Sequence, residues 1–258
     1  MKIVHVTALC AVLAVSGCAS NPSNPMDPLE PLNRKIYAFN DNVDHYVAKP
    51  VAQAYHNVTP QPFRIAVNNF FDNILDAYSA VNNALRAEPK KALSDLMRVA
   101  INTTFGVFGL VDFATPAGLP SNKTTLGDTL ATWGWKNSSY FVMPFFGPST
   151  IRDGTGTTVT LYYSPDRKLY NGPAAANTAD AFYVVSKRER LLGVEESVQE
   201  AAIDPYSYTR DAFLQIRAKQ VGGTQPTSPQ DEIDIDQLMA PEPSSAPVAN
   251  KPAASSAQ

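Results

Sequence analysis

The sequence predicts a mainly α-helical domain that follows a targeting segment and precedes a long polar tail. Two observations favour this fold class. Apolar residues recur at steps of three and four over long stretches, and proline stands where several of these stretches begin. Strand-like composition is confined to one stretch, Ser149 to Tyr163, which is rich in threonine, valine and tyrosine.

The clearest helix is predicted from Phe63 to Leu85. Its apolar residues are Phe63, Val67, Phe70, Phe71, Ile74, Leu75, Tyr78, Val81 and Leu85. Asparagine and aspartate lie between them, so the helix is amphipathic. Pro62 stands at its start, and Pro89 ends anything beyond Glu88.

A second helix is predicted within Lys90 to Asp112, where the second half is apolar on every face. The run from Val99 to Val111 is shorter than the roughly 20 residues that a membrane span needs. Its length is typical of a buried or re-entrant segment.

Two further helices are predicted near the end of the domain. One runs from Ala179 to Val185 and on to about Ala202. The other begins at Asp204-Pro205, an N-cap followed by proline at the first helical position, and continues to about Lys219.

The first residues have the pattern of a bacterial targeting signal. Lys2 precedes a short apolar run, which ends in Val15-Ser16-Gly17-Cys18. A transmembrane anchor is the alternative, but the run is too short to span a bilayer. The last four residues resemble a lipobox, which implies a signal peptide over 1–17 and a lipid on Cys18. Ala19 then implies, by resemblance to bacterial sorting rules, transfer to the outer membrane, with the anchor in the periplasmic leaflet.

These boundaries divide the chain into four parts. Residues 18–26 form the lipidated tether, 27–220 the helical domain, and 221–258 a tail rich in proline, serine and alanine. The tail is predicted to be disordered, because such a composition buries too little apolar surface to offset chain entropy. Cys10 lies in the signal peptide and Cys18 is consumed by lipid, so the mature chain has no thiol.

Charge and composition argue against a nucleic-acid partner and against an enzyme. Only 17% of residues are charged, against about 25% in ordinary soluble domains, and basic and acidic residues balance between 18 and 220. Metal ligation is not expected, because His45 and His56 are eleven residues apart and have no glutamate or histidine at a helical metal spacing. Ser149 lacks the second glycine of a nucleophile elbow, so a serine nucleophile is not expected. We expect no other catalytic residue and no cofactor.

The segment Asp27 to Asp41, D-P-L-E-P-L-N-R-K-I-Y-A-F-N-D, resembles the opening signature of the VacJ/MlaA lipoproteins. The agreement continues at Lys49-Pro50, Asn69-Phe70, Arg98 to Gly109, Asp112, Thr125 to Leu130, Trp133-Gly134, Met143 to Ser149, Arg152-Asp153 and Asp204-Pro205-Tyr206. Two departures affect loops. Asn137-Ser138-Ser139-Tyr140 replaces a G-P-Y sequence common in relatives, and Leu85 to Glu88 replaces their L-Q-G.

The resemblance implies a ring-like bundle of amphipathic helices in the inner leaflet of the outer membrane, beside a trimeric porin. It also implies an amphipathic channel that removes phospholipid from the outer leaflet and passes it to a soluble periplasmic carrier. A structural porin-associated lipoprotein without lipid conduction is the alternative, and a lipid hydrolase is a third hypothesis. The helix from Phe63 and the segment from Val99 then either contact acyl chains or form an ordinary soluble core.

Candidate site residues follow from the same resemblance. Cys18 carries the anchor. One set either fixes the mouth or lining of the ring or caps and packs the first helix: Asn33, Arg34, Tyr37, Phe39 and Asn40. A second set either flanks a mobile loop that gates the passage or makes rigid turns: Gly127, Pro144, Gly147 and Pro148. Arg152 with Asp153 is expected to be a buried or turn-stabilising pair rather than a head-group binder.

Overall fold

The computed structural model describes residues 24–193 and 203–222, and this part of the chain is mainly helical, as predicted. Its helices are α1 (Glu30–Val43), α2 (Lys49–Val58), α3 (Gln61–Leu85), α4 (Pro89–Thr104), α5 (Leu126–Thr132), α6 (Ile151–Tyr162), α7 (Pro173–Glu189) and α8 (Pro205–Val221). Two strands, β1 (Tyr140–Met143) and β2 (Gly147–Thr150), pair antiparallel. The predicted signal peptide, Cys18 and the predicted tail beyond Gly222 lie outside the described residues.

Helices α1 and α2 form one continuous helical rod with a π-helical segment, Asp44–Ala48, between them. The backbone stays helical at both junctions. Pro50 begins the first turn of α2 and has no N–H to donate, so a regular α-helical bond cannot form there. The wider π turn absorbs this defect without ending the rod.

Helices α3 and α4 form an antiparallel hairpin. The predicted helix from Phe63 to Leu85 is confirmed, with Pro62 in the first turn. The second helix starts at Pro89 but ends at Thr104, so the prediction that it runs towards Asp112 is wrong. Residues 105–111 instead form a tight turn whose backbone N–H groups bond back to carbonyls of the helix end.

The strand-like reading of Ser149 to Tyr163 is wrong beyond Thr150. The strand pair ends there, because the Thr150 side chain accepts a hydrogen bond from the Asp153 N–H and so caps α6. Gly156 of α6 lies against Gly127 of α5, where a Cβ would come within 2.6 Å of the Gly127 nitrogen. Helix packing therefore overrides the strand preference of threonine and valine.

The last two helices differ from their predictions mainly in their ends. Helix α7 begins at Pro173, six residues earlier than expected, and ends at Glu189. The predicted continuation to Ala202 falls largely on residues 194–202, which lie outside the described residues. Helix α8 begins with the predicted cap, since the Asp204 carboxylate accepts from the Tyr206 N–H, and it ends at Val221 before Gly222.

Candidate functional site

The fully buried residues of the helical hairpin α3–α4 are polar, and several of its large apolar side chains are exposed, whereas others such as Phe70 and Ile74 are half-buried. Its buried residues are Asn73, Asp76, Ser79, Asn82, Asn83, Asp95, Arg98 and Asn102. Its exposed large side chains include Phe63, Ile65, Val81, Leu85, Leu93, Leu96 and Met97. Sequence periodicity found this helix and left two alternatives for its apolar face, contact with acyl chains or an ordinary soluble core. The exposure of these side chains does not fit a soluble core at their positions.

Arg98 is the centre of the buried network. Its Nε donates to Asp76 Oδ2 at 2.9 Å, and its Nη1 donates to the Leu119 carbonyl at 2.8 Å and to Thr115 Oγ1 at 3.0 Å. Its Nη2 reaches Asp112 Oδ2 at 3.4 Å. Burial by itself lowers the pKa of Arg98, but the two carboxylates raise it above its ordinary value, so the guanidinium stays charged.

A second polar cluster binds the last part of the connection between α4 and α5, residues 105–125. Asp95 Oδ1 accepts from the Asn122 N–H at 2.9 Å, and Asp95 Oδ2 accepts from Asn83 Nδ2 at 2.8 Å. Thr124 Oγ1 donates to Asn83 Oδ1 at 3.0 Å, while its N–H donates to Ser79 Oγ at 2.9 Å. The connection therefore lies along the inner face of the hairpin and satisfies polar side chains that a soluble helix would turn to water.

The turn after α4 exposes a cluster of apolar side chains, which we call the 105–111 turn. Phe105 is 70% exposed, Val107 61% and Phe108 74%. Val107 and Phe108 adopt left-handed backbone angles, with φ of 53° and 58°, which are unfavourable for a β-branched and a bulky residue. Gly109 follows at φ 91°, where a Cβ would come within 2.7 Å of Asn73 Nδ2. Strain of this kind clusters at functional positions.

An apolar groove of about 400 Å³ opens between α3 and α7. Its lining residues are Val67, Phe70, Phe71, Leu110, Tyr170, Ala175, Thr178, Ala179 and Phe182. The volume lies within the range of about 300–1,000 Å³ that is typical of ligand pockets. The groove and the 105–111 turn share Leu110, so the two apolar features are continuous.

Two of the signature asparagines hold the strand pair against α1. Asn33 is fully buried. Its Nδ2 donates to Asp27 Oδ1 at 2.8 Å, and its Oδ1 accepts from the Val142 N–H at 3.0 Å. Two helical turns later, Asn40 donates to the Met143 carbonyl at 2.9 Å and accepts from the Phe145 N–H at 2.8 Å.

The other signature residues pack the same helix. Tyr37 meets Tyr206 edge to face, with ring centroids 5.6 Å apart, beside a small core of Tyr140, Val142, Tyr206 and Leu214. Arg34 makes two hydrogen bonds to Asp204 and lies 4.3 Å from the Tyr206 ring centroid. Phe39 is partly exposed and contacts Phe145. These contacts match the alternative in which the signature residues pack the first helix. A role of the same residues in lining a channel stays a prediction.

The predicted gate residues separate into two places. Pro144 lies in the turn between the strands, while Gly147 and Pro148 lie in β2. Gly147 has a φ of 82°, which favours glycine. Gly127, predicted to flank a mobile loop or to make a rigid turn, lies buried inside α5, where a Cβ would come within 2.3 Å of Asp153 Oδ1. Its structural role is therefore close helix packing, and gating stays a prediction.

Arg152 is buried and its partner Asp153 is half-buried, in line with the expected buried or turn-stabilising pair. Arg152 is 1% exposed, and it donates to Asp153 and to the carbonyls of Trp135 and Lys136. Arg217 of α8 joins the cluster and bridges Asp153 and Asp128 at 2.8 Å each. Burial raises the pKa of Asp128, but the Arg217 charge and the Thr125 hydrogen bonds lower it below its ordinary value.

The sequence interpretation missed the polar interior, although a signal was present. Asn73, Asp76 and Asn83 recur at helical spacing along one face of α3. Within residues 24–193 and 203–222, no group of three histidine, cysteine or acidic side chains is placed to hold a metal ion. In the same residues, no helix combines the length and the apolar character that crossing a membrane requires.

Comparisons with known proteins agree on one family. The chain is 33% identical to an intermembrane phospholipid transport system lipoprotein of Haemophilus influenzae over 187 residues, covering 71% of this chain and 74% of the relative. It is 32% identical to the protein of the same name in Escherichia coli, covering 71% and 73%. An uncharacterised Rickettsia typhi protein is 33% identical, covering 73% and 75%.

A solved structure gives the same result at the level of the fold. It comes from work on the structural basis for maintenance of bacterial outer membrane lipid asymmetry, and its chain shares 29% sequence identity and a TM-score of 0.65 with this one. The alignment covers 76% of this chain and 98% of the solved chain. The family model described as MlaA lipoprotein matches residues 25–220. This chain therefore belongs to the MlaA lipoprotein family.

Proposed function

We propose that this protein is the outer-membrane lipoprotein of an intermembrane phospholipid transport system. In this role it removes phospholipid that has strayed into the outer leaflet and passes it to a soluble periplasmic carrier. The names of the Haemophilus and Escherichia relatives support the general role. Cys18 provides the lipid anchor, and the domain is held in the periplasmic leaflet beside a trimeric porin.

The inverted polarity of the α3–α4 hairpin is the single observation that carries the proposal. Large contiguous apolar surfaces are uncommon on soluble proteins and mark contacts with lipid or protein. A polar interior alone needs an explanation, because buried polar groups are costly unless every one has a partner. In a bilayer the arrangement is favourable, since acyl chains cover the apolar side chains and helices satisfy their own backbone groups.

The same polarity suits the handling of an amphiphile. A phospholipid that moves through the protein presents a charged head group and apolar chains. The hairpin offers an apolar outer surface, and the groove between α3 and α7 offers apolar walls that suit acyl chains. The domain needs no energy source of its own, since the proposed role is to collect lipid and release it to a carrier.

The decisive experiment is deletion of the gene followed by measurement of phospholipid in the outer leaflet of the outer membrane. We expect a rise that is reversed by the wild-type gene and not by Cys18→Ala, because the unanchored protein cannot stay in the leaflet. Cys10→Ala is the matched control, since Cys10 precedes the predicted cleavage site. No rise on deletion would refute transport and leave a porin brace as the function.

Catalysis is tested separately. Purified protein incubated with phospholipid labelled in its acyl chain should release no fatty acid, and release would assign the protein to the hydrolases instead.

A further inference from the structure

The 105–111 turn presents apolar side chains without any charged neighbour. No residue from Val99 to Val111 is charged, and three large apolar side chains of the turn are exposed. The next residue, Asp112, is directed back to the hairpin, where its carboxylate accepts from Asn102 Nδ2 at 3.1 Å and lies 3.4 Å from Arg98 Nη2. Interfaces between proteins surround an apolar centre with a polar rim, so this uncharged surface suits hydrocarbon better than a protein partner.

The backbone of the turn bonds to itself and to the end of α4, although it is not helical. Five of its seven N–H groups donate to nearby carbonyls. These bonds run from Phe105 to Ile101 at 2.8 Å, from Phe108 to Thr103 at 3.0 Å, from Gly109 to Asn102 at 2.9 Å, from Leu110 to Val107 at 3.3 Å and from Val111 to Gly106 at 2.9 Å. Non-helical backbone is tolerated in hydrocarbon only where its polar groups have partners within the protein. The turn largely meets this condition, which excludes ordinary loops from a bilayer.

Asn69 of α3 covers a further polar group of the turn. Its Nδ2 donates to the Leu110 carbonyl at 3.1 Å, across 41 positions of sequence, and this bond is exposed. In water the bond adds little, because a water molecule can bond the same carbonyl. In hydrocarbon no such substitute exists, and a carbonyl without a partner is costly.

Close packing holds the base of the turn in one conformation. Asn102 Oδ1 accepts from the N–H groups of Phe113 and Ala114 at 2.9 Å and 3.0 Å, which fixes the chain as it leaves the turn. Gly109 lies so near Asn73 that a Cβ would come within 2.7 Å of its Nδ2. The apolar side chains are therefore already in place, and little conformational freedom has to be lost when they meet a partner.

We infer that the 105–111 turn inserts into the hydrocarbon of a lipid leaflet, and that Asn69 is a positioning residue that prepares the turn for insertion by bonding the Leu110 carbonyl. The inference rests on the proposed function. It adds the non-helical element that enters the acyl region and the side chain that allows its backbone to do so. Asn69 acts through the backbone of the turn.

The first test compares vesicle binding with stability. The chain from residue 18 to 258, carrying Cys18→Ala, is floated with vesicles of phosphatidylethanolamine and phosphatidylglycerol, and its melting temperature is measured in buffer. Asn69→Ala should leave the melting temperature nearly unchanged, because water bonds the Leu110 carbonyl instead. Its partition coefficient should be on the order of tenfold lower, since the same carbonyl has no partner in hydrocarbon.

Asn68→Ala is the matched control. Asn68 is the neighbouring residue of α3 and is also half-buried, and the Leu110 carbonyl is bonded by Asn69 rather than by Asn68. The control should keep the melting temperature and the partition coefficient of the parent chain. A fall in melting temperature of Asn69→Ala that accounts for its loss of flotation would make Asn69 an ordinary residue of the fold and overturn the inference.

A second measurement locates the turn without altering Asn69. The parent chain has no thiol, so Phe105→Cys provides a single site for a nitroxide label. In vesicles this label should be relaxed by oxygen and shielded from a water-soluble nickel complex. Lys90→Cys is the matched control, because Lys90 is an exposed charged residue in the first turn of α4. Equal access of the nickel complex to both labels would overturn the inference.

Failure of the inference and failure of the proposed function give different results. If the parent chain floats with vesicles and Asn69→Ala floats equally well, membrane binding stands and the inferred role of Asn69 fails. If the parent chain does not float at all, the proposed place of the domain in a leaflet fails together with the inference.

Discussion

Replacing Val107 and Phe108 together by asparagine should make the protein more stable and at the same time bind membranes less well. Both residues hold left-handed backbone angles, and asparagine adopts that conformation far more readily than valine or phenylalanine. Both side chains also point apolar surface away from the protein, being 61% and 74% exposed. The two effects have opposite signs, because the backbone strain destabilises the fold, whereas under the proposed function the exposed apolar side chains contact the membrane.

The magnitudes follow from the geometry. A left-handed residue other than glycine costs about 1–2 kcal/mol, and asparagine recovers part of this at each position, so stability should rise by about 1–2 kcal/mol. Transfer of a whole valine or phenylalanine side chain contributes about 1.5–3 kcal/mol, and the exposed fractions scale the lost membrane contact to about 2–4 kcal/mol. That loss corresponds to a partition coefficient lower by a factor on the order of 30 to 1,000.

The assay uses Cys18→Ala protein, so that the anchor does not mask partitioning, with vesicle flotation for binding and urea unfolding for stability. Phe105→Asn is the matched control. Phe105 is 70% exposed, but its φ is −93°, so this variant should lose partitioning without any gain in stability. The reasoning is refuted if the double variant unfolds more easily than the parent, or if its flotation is unchanged.

Three further predictions concern the interior. Arg98→Met should lower the free energy of unfolding by less than the roughly 3–5 kcal/mol of an uncompensated buried charge, because Asp76 loses Arg98 but keeps Lys123 at 2.7 Å. Arg98→Lys should recover part of the loss, and equal urea midpoints for both variants and wild type would contradict the network. Gly127→Ala should cost about 1–3 kcal/mol in thermal unfolding, since its Cβ would lie 2.3 Å from Asp153 Oδ1; a neutral result would mean that α5 and α6 separate freely. Folding lowers the pKa of Asp128, so the Asp128 carboxylate adds to the free energy of unfolding above its unfolded pKa of about 4, and this contribution is lost as the pH falls through the lower folded pKa. Asp128→Asn should therefore destabilise the protein near neutral pH. The difference in melting temperature from wild type should shrink in acid.

Periodicity in the sequence locates α3 but does not say which of its faces is inside. The spacing of Phe63, Val67 and Phe70 gives the phase of the apolar stripe, and Pro62 gives the start. A stripe of this kind faces the core in a soluble protein and faces lipid in a membrane-bound one, so the pattern is the same in both. The position of Asp76 and Asn83 inside the hairpin depends on the connection that lies against them, which is distant in sequence.

The sequence predicts a helix end correctly where the residues that cause it are neighbours along the chain. Asp204-Pro205 caps α8 because both the carboxylate and the proline act on the next few residues. Composition fails over Ser149 to Tyr163, where the decisive contacts are made by Gly127, a residue on another helix. Strand propensity is a weak preference that such tertiary packing overrides.

The signature residue Asn33 shows the same limit. Its presence in the motif is visible in the sequence, and its role in binding the Val142 N–H is not, because the two residues are far apart along the chain. A motif identifies the family, whereas only the folded chain shows which partners its side chains meet.

A helical hairpin that buries polar side chains and exposes large apolar ones should also give an unusual thermal response. Unfolding an ordinary domain raises the heat capacity by about 12–15 cal/mol/K per residue, because newly wetted hydrocarbon increases it while newly wetted polar groups decrease it. Here the groups released from the α3–α4 interior are carboxylates, amides and a guanidinium. The increase in heat capacity on unfolding should therefore be small for the delipidated protein. Its free energy of unfolding should change only gently with temperature.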